Sequence, residues 1–337
     1  MMHSNKNVTS VIGISVTSPA RPIKLGRKSV LFPMSITEVL ANPCPVVPFV
    51  LPGIMPGTVG AIAGPGGVGK TMLQLLLSIQ CALGLVPLGG LYPAPTRPLK
   101  VALISGEETK LAFEVRLHAV FDHLVKDLPL GEREAVRAGY SEEVGRNFRL
   151  IPANGVDLTL IRGGKRTLMI DDVLSHIEGR DIVFIETVSR LHDGDENTAA
   201  AMTALVGALE YLAQTSGAAV IAGHHTSKGA SASEAASRGS SAFIDNIRWL
   251  ANLFPMPYDL ATELGLDDVA RKSYLRYEVT KANHIPPSNV QWLRRLSHGI
   301  LVRVDGPQGM SPSPISRGRS HQPLQGRFAT RGFRNKS

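Results

Sequence analysis

Cysteine is nearly absent: Cys44 and Cys81 are the two thiols of a 337-residue chain, far apart and with no Cys or His at metal-ligand spacing. That excludes a disulfide framework and a zinc site. No apolar run approaches the roughly 20 residues of a membrane span. The short run Val11 to Val16 follows a single lysine, Lys6, and precedes no small-residue cleavage pattern, so it makes a poor signal peptide. A cytoplasmic protein with no membrane partner is expected. Aromatic residues are only 5% and charged residues 19% of the chain, yet 43% is hydrophobic, enough for a packed core and too much for wholesale disorder. At about 150 residues per domain, the length allows two domains or one large α/β domain with ragged ends.

The two ends are almost without acid. Residues 1–30 carry Lys6, Arg21, Lys24, Arg27 and Lys28 and no carboxylate, and residues 305–337 carry Arg317, Arg319, Arg327, Arg331, Arg334 and Lys336 against Asp305. Each end is therefore +5, and the 274 residues between them hold 25 basic and 27 acidic side chains, a charge of −2. The formal charge of +8 and the pI near 9.6 belong to the ends, so the core is not a basic domain built to grip a polyanion. The ends read either as solvated, disordered tails or as polybasic arms that hold nucleic acid weakly and salt-dependently. Met34 is the expected start of translation. The expected organisation is a basic extension over 1–33, one folded domain over 34–304 and a basic tail over 305–337.

No internal repeat is present, and the folded part alternates short β-rich runs with longer helical ones. Residues 59–63 read as a buried strand, followed by a Gly-rich turn and a helix over about 70–83. Residues 100–105 (KVALIS) form a second strand before a helical stretch from Thr109 towards Phe121. A third strand is expected at 147–151, a helix at 168–178, and a strongly apolar strand at 181–185 (DIVFI) ending at Glu186. Helix returns over 198–215, and 218–223 (AAVIAG) is another buried strand, ending at His224 and His225. A Ser, Ala and Gly loop follows to Ser240, then a strand at 273–280 and a closing hairpin at 290–303. Continuous apolar strands separated by helices predict an α/β fold, its mostly parallel sheet covered on both faces.

The most specific motif is Gly64-Pro65-Gly66-Gly67-Val68-Gly69-Lys70-Thr71, which fits G-x-x-x-x-G-K-[ST] between a strand and a helix. Glycines let successive N–H groups turn inward at phosphate oxygens, and the helix N-terminus adds partial positive charge. Lys70 is expected to reach the β- and γ-phosphates, and the Thr71 hydroxyl to hold Mg²⁺. Gly64, Gly66 and Gly69 also satisfy G-x-G-x-x-G, but a dinucleotide site wants an acid about 20 residues on. Residues 82–92 contain none, which leaves a nucleoside triphosphate as the expected ligand, taken as ATP with Mg²⁺.

Hydrolysis needs a base for the attacking water, a carboxylate near Mg²⁺, a group that senses the γ-phosphate, and a cation for the transition-state charge. The C-terminal ends of the strands supply candidates in Glu107, Glu108, Glu186 and His224, with Arg238 and Lys281 in or just after later segments. Bland readings exist beside these. Glu108 reads as a solvated helix-entry acid, His225 as packing or bonding backbone, and Asp193, Asp195 and Glu196 as a solvated loop or cap.

The order of GPGGVGKT, a strand ending in ISGEE, a strand ending in IVFIE and a strand ending in His resembles the RecA-like ATPase core. More narrowly, PGTVGAIAGPGGVGKT, RLHA at 116–119, HHTSKG at 224–229, ASRGSSAFIDNIRW at 236–249 and VTKAN at 279–283 resemble the RepA-type hexameric helicases of plasmids. The resemblance spans about 34–304 and implies a set of roles. Glu107 becomes the catalytic base and Glu186 the Walker B acid, where that family usually has Asp. His224 becomes the γ-phosphate switch, and Arg238 an arginine finger reaching a neighbouring subunit's ATP. Lys281 lies where related rings place a basic pair facing the neighbour, although Asn283 replaces the second cation. A loop-anchoring salt bridge is the competing reading of Arg238.

The loops at 191–199 and 226–237 correspond to those that face the channel in such rings, and Lys228 in the second is a candidate contact to DNA phosphates. The leading expectation is a ring-forming ATPase, a hexamer of identical chains, that unwinds DNA in plasmid, phage or mobile-element replication. Single-stranded DNA and primase or initiator proteins are the expected partners. The alternative is a RecA-fold ATPase that serves as a nucleotide-switched regulatory or DNA-binding module without unwinding.

Overall fold

The computed structural model describes residues 33–226, 241–286 and 288–307. The expected tails therefore lie almost wholly outside the described residues, as do Lys228 and Arg238. The chain divides into two compact units, Met1–Val46 and Val47–Ser337. The described part of the first contains helix α1 (Ile36–Ala41), capped where the Ser35 hydroxyl accepts the Glu38 N–H.

The second unit begins with strand β1 (Val59–Gly64), helix α2 (Lys70–Ala82), β2 (Val101–Ser105), α3 (Lys110–Val125), α4 (Leu130–Asn147) and β3 (Phe148–Pro152). A two-stranded ribbon, β4 (Ile161–Arg162) and β5 (Lys165–Arg166), precedes α5 (Met169–Ile177), β6 (Ile182–Glu186), α6 (Ala199–Ser216) and β7 (Ala219–His225). After the undescribed stretch come α7 (Ser241–Asn246), β8 (Trp249–Pro255), α8 (Tyr258–Glu263) and α9 (Asp268–Ser273). The chain then forms β9 (Tyr274–Ala282), β10 (Gln291–Arg295) and β11 (Leu301–Val304).

Among the described residues, one sheet has the order β11-β10-β9-β8-β1-β7-β6-β2-β3. Strands β3 to β8 of that order run parallel, and β9, β10 and β11 extend the sheet antiparallel, which includes the expected closing hairpin. The fold is the α/β sandwich with a mostly parallel sheet that the alternation predicts.

Period-two alternation sorts the strand side chains into two cores. On one face Ile62, Leu103, Phe184 and Ile221 pack with Leu73, Leu76 and Leu77 of α2 and Phe113 of α3. On the other, Ala61, Ala63, Ala102 and Ala222 present short side chains to Leu205, Leu209 and Leu212 of α6. Helix α2 is apolar nearly all round because it is covered on several sides, by the sheet, by the turn at 87–89, by α4 and by the start of β11, where Leu301 approaches Gly69.

Several elements go beyond the sequence expectation, among them α1, the β4–β5 ribbon, α8 and α9, and two of them are strand β8 and the long helix α4. The run WLANLFP forms β8, parallel to β1, although Asn252 interrupts its apolar character; the Asn252 amide donates to Thr280 Oγ1 of β9 at 2.9 Å, so its burial is satisfied. The polar segment 130–147 forms a long helix that buries only Val144. Its helical character comes from Glu, Arg and Ala propensity rather than from an apolar stripe.

Candidate active site

Because β1, β2, β6 and β7 are parallel, their C-terminal ends open on one edge of the sheet, and each delivers one part of a site there. The turn after β1 is the phosphate loop. Gly67 and Gly69 take φ of 73° and 108°, values that a side chain would strain. A Cβ on Gly64 would lie 2.2 Å from the Leu253 carbonyl oxygen of β8, so only glycine lets these strands close there. At Gly67 a Cβ would meet nothing within 4 Å, so the loop is open there.

Lys70 is buried, and its ammonium donates to the carbonyls of Gly64 at 2.9 Å and Pro65 at 3.1 Å. Burial lowers its pKa to about 8, opposed by the charges of Glu186 and Glu107. Its third neighbour is His225 Nδ1 at 3.2 Å, and the other ring nitrogen of His225 lies 3.6 Å from Glu107 Oε2. Burial and the Lys70 charge depress the His225 pKa, with Glu107 pulling the other way. A neutral imidazole thus links the lysine ammonium to the carboxylate.

Glu186, at the end of β6, is buried, and one carboxylate oxygen, Oε2, has no hydrogen-bond partner among the described residues. Burial raises its pKa to about 7, while the Thr71 hydroxyl and Lys70 favour its charged form. The Gly106 N–H donates to the Glu186 carbonyl at 2.7 Å, which ties the start of the Glu107 turn to the end of β6. Asn154 holds the Glu107 carbonyl at 2.9 Å and leaves the carboxylate towards His225.

The structure brings Lys70, Thr71, Glu107 and Glu186 together, but it separates the two histidines. His224 is buried with its ring 5.2 Å from that of Phe243, and burial lowers its pKa to about 4. His225, which the sequence reading gives a packing or backbone role, is the one beside Lys70 and Glu107. Strand β7 continues through both residues, so adjacent side chains leave on opposite faces. Ending the strand at Gly223 hides that parity; the alternation of AVIAGHH carried to its last residue would have revealed it.

Glu108 is not a free solvated acid but forms an ion pair with Arg116, from the RLHA run. Asp193 accepts the Gly163 N–H at 3.1 Å, and Asp195 accepts the Asn197 N–H at 2.9 Å, so this acidic stretch is partly structural. Lys281 donates to the Ile244 and Asp245 carbonyls at 2.9 and 2.8 Å, which makes it a tie from β9 to the last turn of α7.

Residues 27–231, more than half of the chain, match the AAA_25 family of AAA domains. The chain belongs to this family. Among solved structures it is similar to the RadB recombinase, at 14% identity and a TM-score of 0.46, over 75% of this chain and 93% of that one. As a P-loop ATPase of the AAA family it is expected to use a nucleoside triphosphate, usually with Mg²⁺. The residues present fit the metal: the orphaned Glu186 oxygen and the Thr71 hydroxyl lie together beneath the phosphate cradle. Among the described residues no cluster of three or more His, Cys, Asp or Glu is placed to hold a metal ion. No helix among them is long and apolar enough to cross a membrane.

Proposed function

We propose that this AAA-family ATPase is a ring-forming DNA helicase that couples ATP hydrolysis to movement along single-stranded DNA in plasmid, phage or mobile-element replication. The observation that carries the hydrolytic part is the convergence of Lys70, Glu107, Glu186 and His225 on one sheet edge. The helicase part is supported by the HHTSKG and ASRGSSAFIDNIRW runs, which resemble RepA-type rings.

In this reading the Glu107 carboxylate takes the proton of the attacking water. Lys70 leaves the Gly64 and Pro65 carbonyls for the phosphates. Thr71 and Glu186 would hold Mg²⁺, which when bound neutralises charge on the phosphate oxygens. Losing Lys70 frees His225 to reorient, and His225 rather than His224 passes the change to Thr226, whose N–H donates to the Gly64 carbonyl at 3.1 Å. From there the chain enters the segment that carries Lys228 and Arg238. Lys228 contacts DNA phosphates without reading sequence, and Arg238 completes a neighbour's site. The ring is a hexamer of this chain, and primase or an initiator protein contacts it.

The deciding experiment measures ATP hydrolysis with and without single-stranded DNA, and unwinding of a forked duplex, for wild type, Lys70→Ala and Glu107→Gln. DNA-stimulated hydrolysis and unwinding in wild type, both lost in the variants, support the reading. Hydrolysis without unwinding or DNA stimulation replaces it with the nucleotide-switched module.

A further inference from the structure

The phosphate loop is held from its outer side by a residue far away in sequence. Arg295, the last residue of β10, donates from one guanidinium nitrogen, Nη2, to the carbonyls of Gly67 at 3.2 Å and Val68 at 2.5 Å. The same nitrogen lies 3.6 Å from where a Cβ on Gly69 would stand, ordinary contact distance, so glycine there answers to its φ of 108° and not to the guanidinium. Arg295 is half-buried, and burial pulls its pKa below the ordinary arginine value, yet arginine keeps its charge under all ordinary conditions.

A trans peptide points its C=O and the next N–H in opposite directions. Holding the Val68 carbonyl outward therefore directs the Gly69 N–H towards the inner side of the loop. Holding the Gly67 carbonyl outward directs the Val68 N–H to the loop interior, where it donates to Pro65 O at 3.3 Å and closes the turn. Of the five carbonyls from Gly64 to Val68, Lys70 takes Gly64 and Pro65, and Arg295 takes Gly67 and Val68. Lys70 must release its two when it turns to a nucleotide. Arg295 has no such second duty and stays.

We propose that Arg295 is a positioning residue for the nucleotide: it anchors the Gly67 and Val68 carbonyls of the phosphate loop so that the Gly69 N–H is preset for a β-phosphate. The anchor couples the C-terminal hairpin to the nucleotide site, because Arg295 pairs with Leu301 across β10 and β11, and Leu301 itself packs at Gly69. The inference rests on the loop being a nucleotide site, and its test has one arm that does not.

That arm is hydrogen exchange of the nucleotide-free protein. In Arg295→Ala the amides of residues 66–70 should exchange about tenfold faster, as expected for the loss of two charge-assisted hydrogen bonds, while those of β6 and the later turns of α2 stay unchanged. The second arm is affinity. ADP binding should weaken about tenfold and AMP binding little, because AMP lacks the β-phosphate that the preset Gly69 N–H meets. Arg295→Lys should fall between wild type and Ala in both arms, and Arg295→Gln keeps the test open if the Ala variant melts early. Unchanged exchange in the loop, or equal weakening of ADP and AMP, would overturn the anchor. If wild type binds neither ADP nor ATP the nucleotide reading falls, and with it the nucleotide role of Arg295, whereas the exchange arm still decides whether the loop is held.

Discussion

Two buried titratable residues at the site have pKa values displaced in opposite senses, and together they shape how the nucleotide-free fold responds to pH. Glu186 rises from 4.5 to about 7, so between these values the folded state keeps a proton that the unfolded chain has lost, and stability falls as pH rises. His224 falls from 6.5 to about 4, so between those values the unfolded chain binds a proton that the fold refuses, and stability falls as pH drops. Over about pH 4.5–6.5 the two slopes oppose each other in wild type. Glu186→Gln should unmask the acid-side loss, and His224→Gln should unmask the loss towards neutral pH, each on the order of 1–3 kcal/mol across its window. Melting temperatures of the nucleotide-free proteins at a series of pH values check this. Profiles that merely shift in parallel would show that neither burial sets the titration. The residue types at this site were legible from spacing alone, because G-x-x-x-x-G-K-[ST] and acids at strand ends are local patterns. The choice between His224 and His225 was not, since it depends on where β7 stops.

At the scale of elements, the turn between β1 and α2 shows two different reasons for glycine. Gly64 is closed in by the backbone of β8, so Gly64→Ala pushes a methyl against the Leu253 carbonyl, which cannot give way without breaking the sheet. A loss of about 2–3 kcal/mol or more is expected in denaturant melts. At Gly66 the nearest atom to an added Cβ is His225 Nδ1 at 3.9 Å, so Gly66→Ala should change stability by less than about 0.5 kcal/mol while weakening nucleotide binding through the methyl in the cradle. Equal stability losses in the two variants would contradict the packing seen at β8. Strand β8 itself was not read from the sequence: WLANLFP carries an amide at its centre, and only the Thr280 hydroxyl across on β9 makes that amide compatible with a buried strand. The polar helix α4 was missed for the complementary reason, having propensity without an apolar face.

For the whole molecule, mixed subunits test the proposed ring. Lys70→Ala chains retain Arg238, and Arg238→Ala chains retain the phosphate loop, so mixing two inactive proteins should restore part of the hydrolysis if sites are completed between neighbours. A mixture no more active than its components would place Arg238 outside the reaction, for instance in the salt bridge that competes with the finger role. What the sequence determined by itself is what short stretches encode. The phosphate loop, the acids at strand ends, the apolar strands of the parallel sheet, and the concentration of basic charge in the two ends all depend on residues within a few positions of one another. What only the tertiary structure decided depends on pairs distant in the chain. Lys70 meets His225 across 155 positions, Arg295 reaches Val68 across 227, and Lys281 caps a helix 36 positions earlier. The order of strands sets these meetings, and no local spacing records which strand lies beside which.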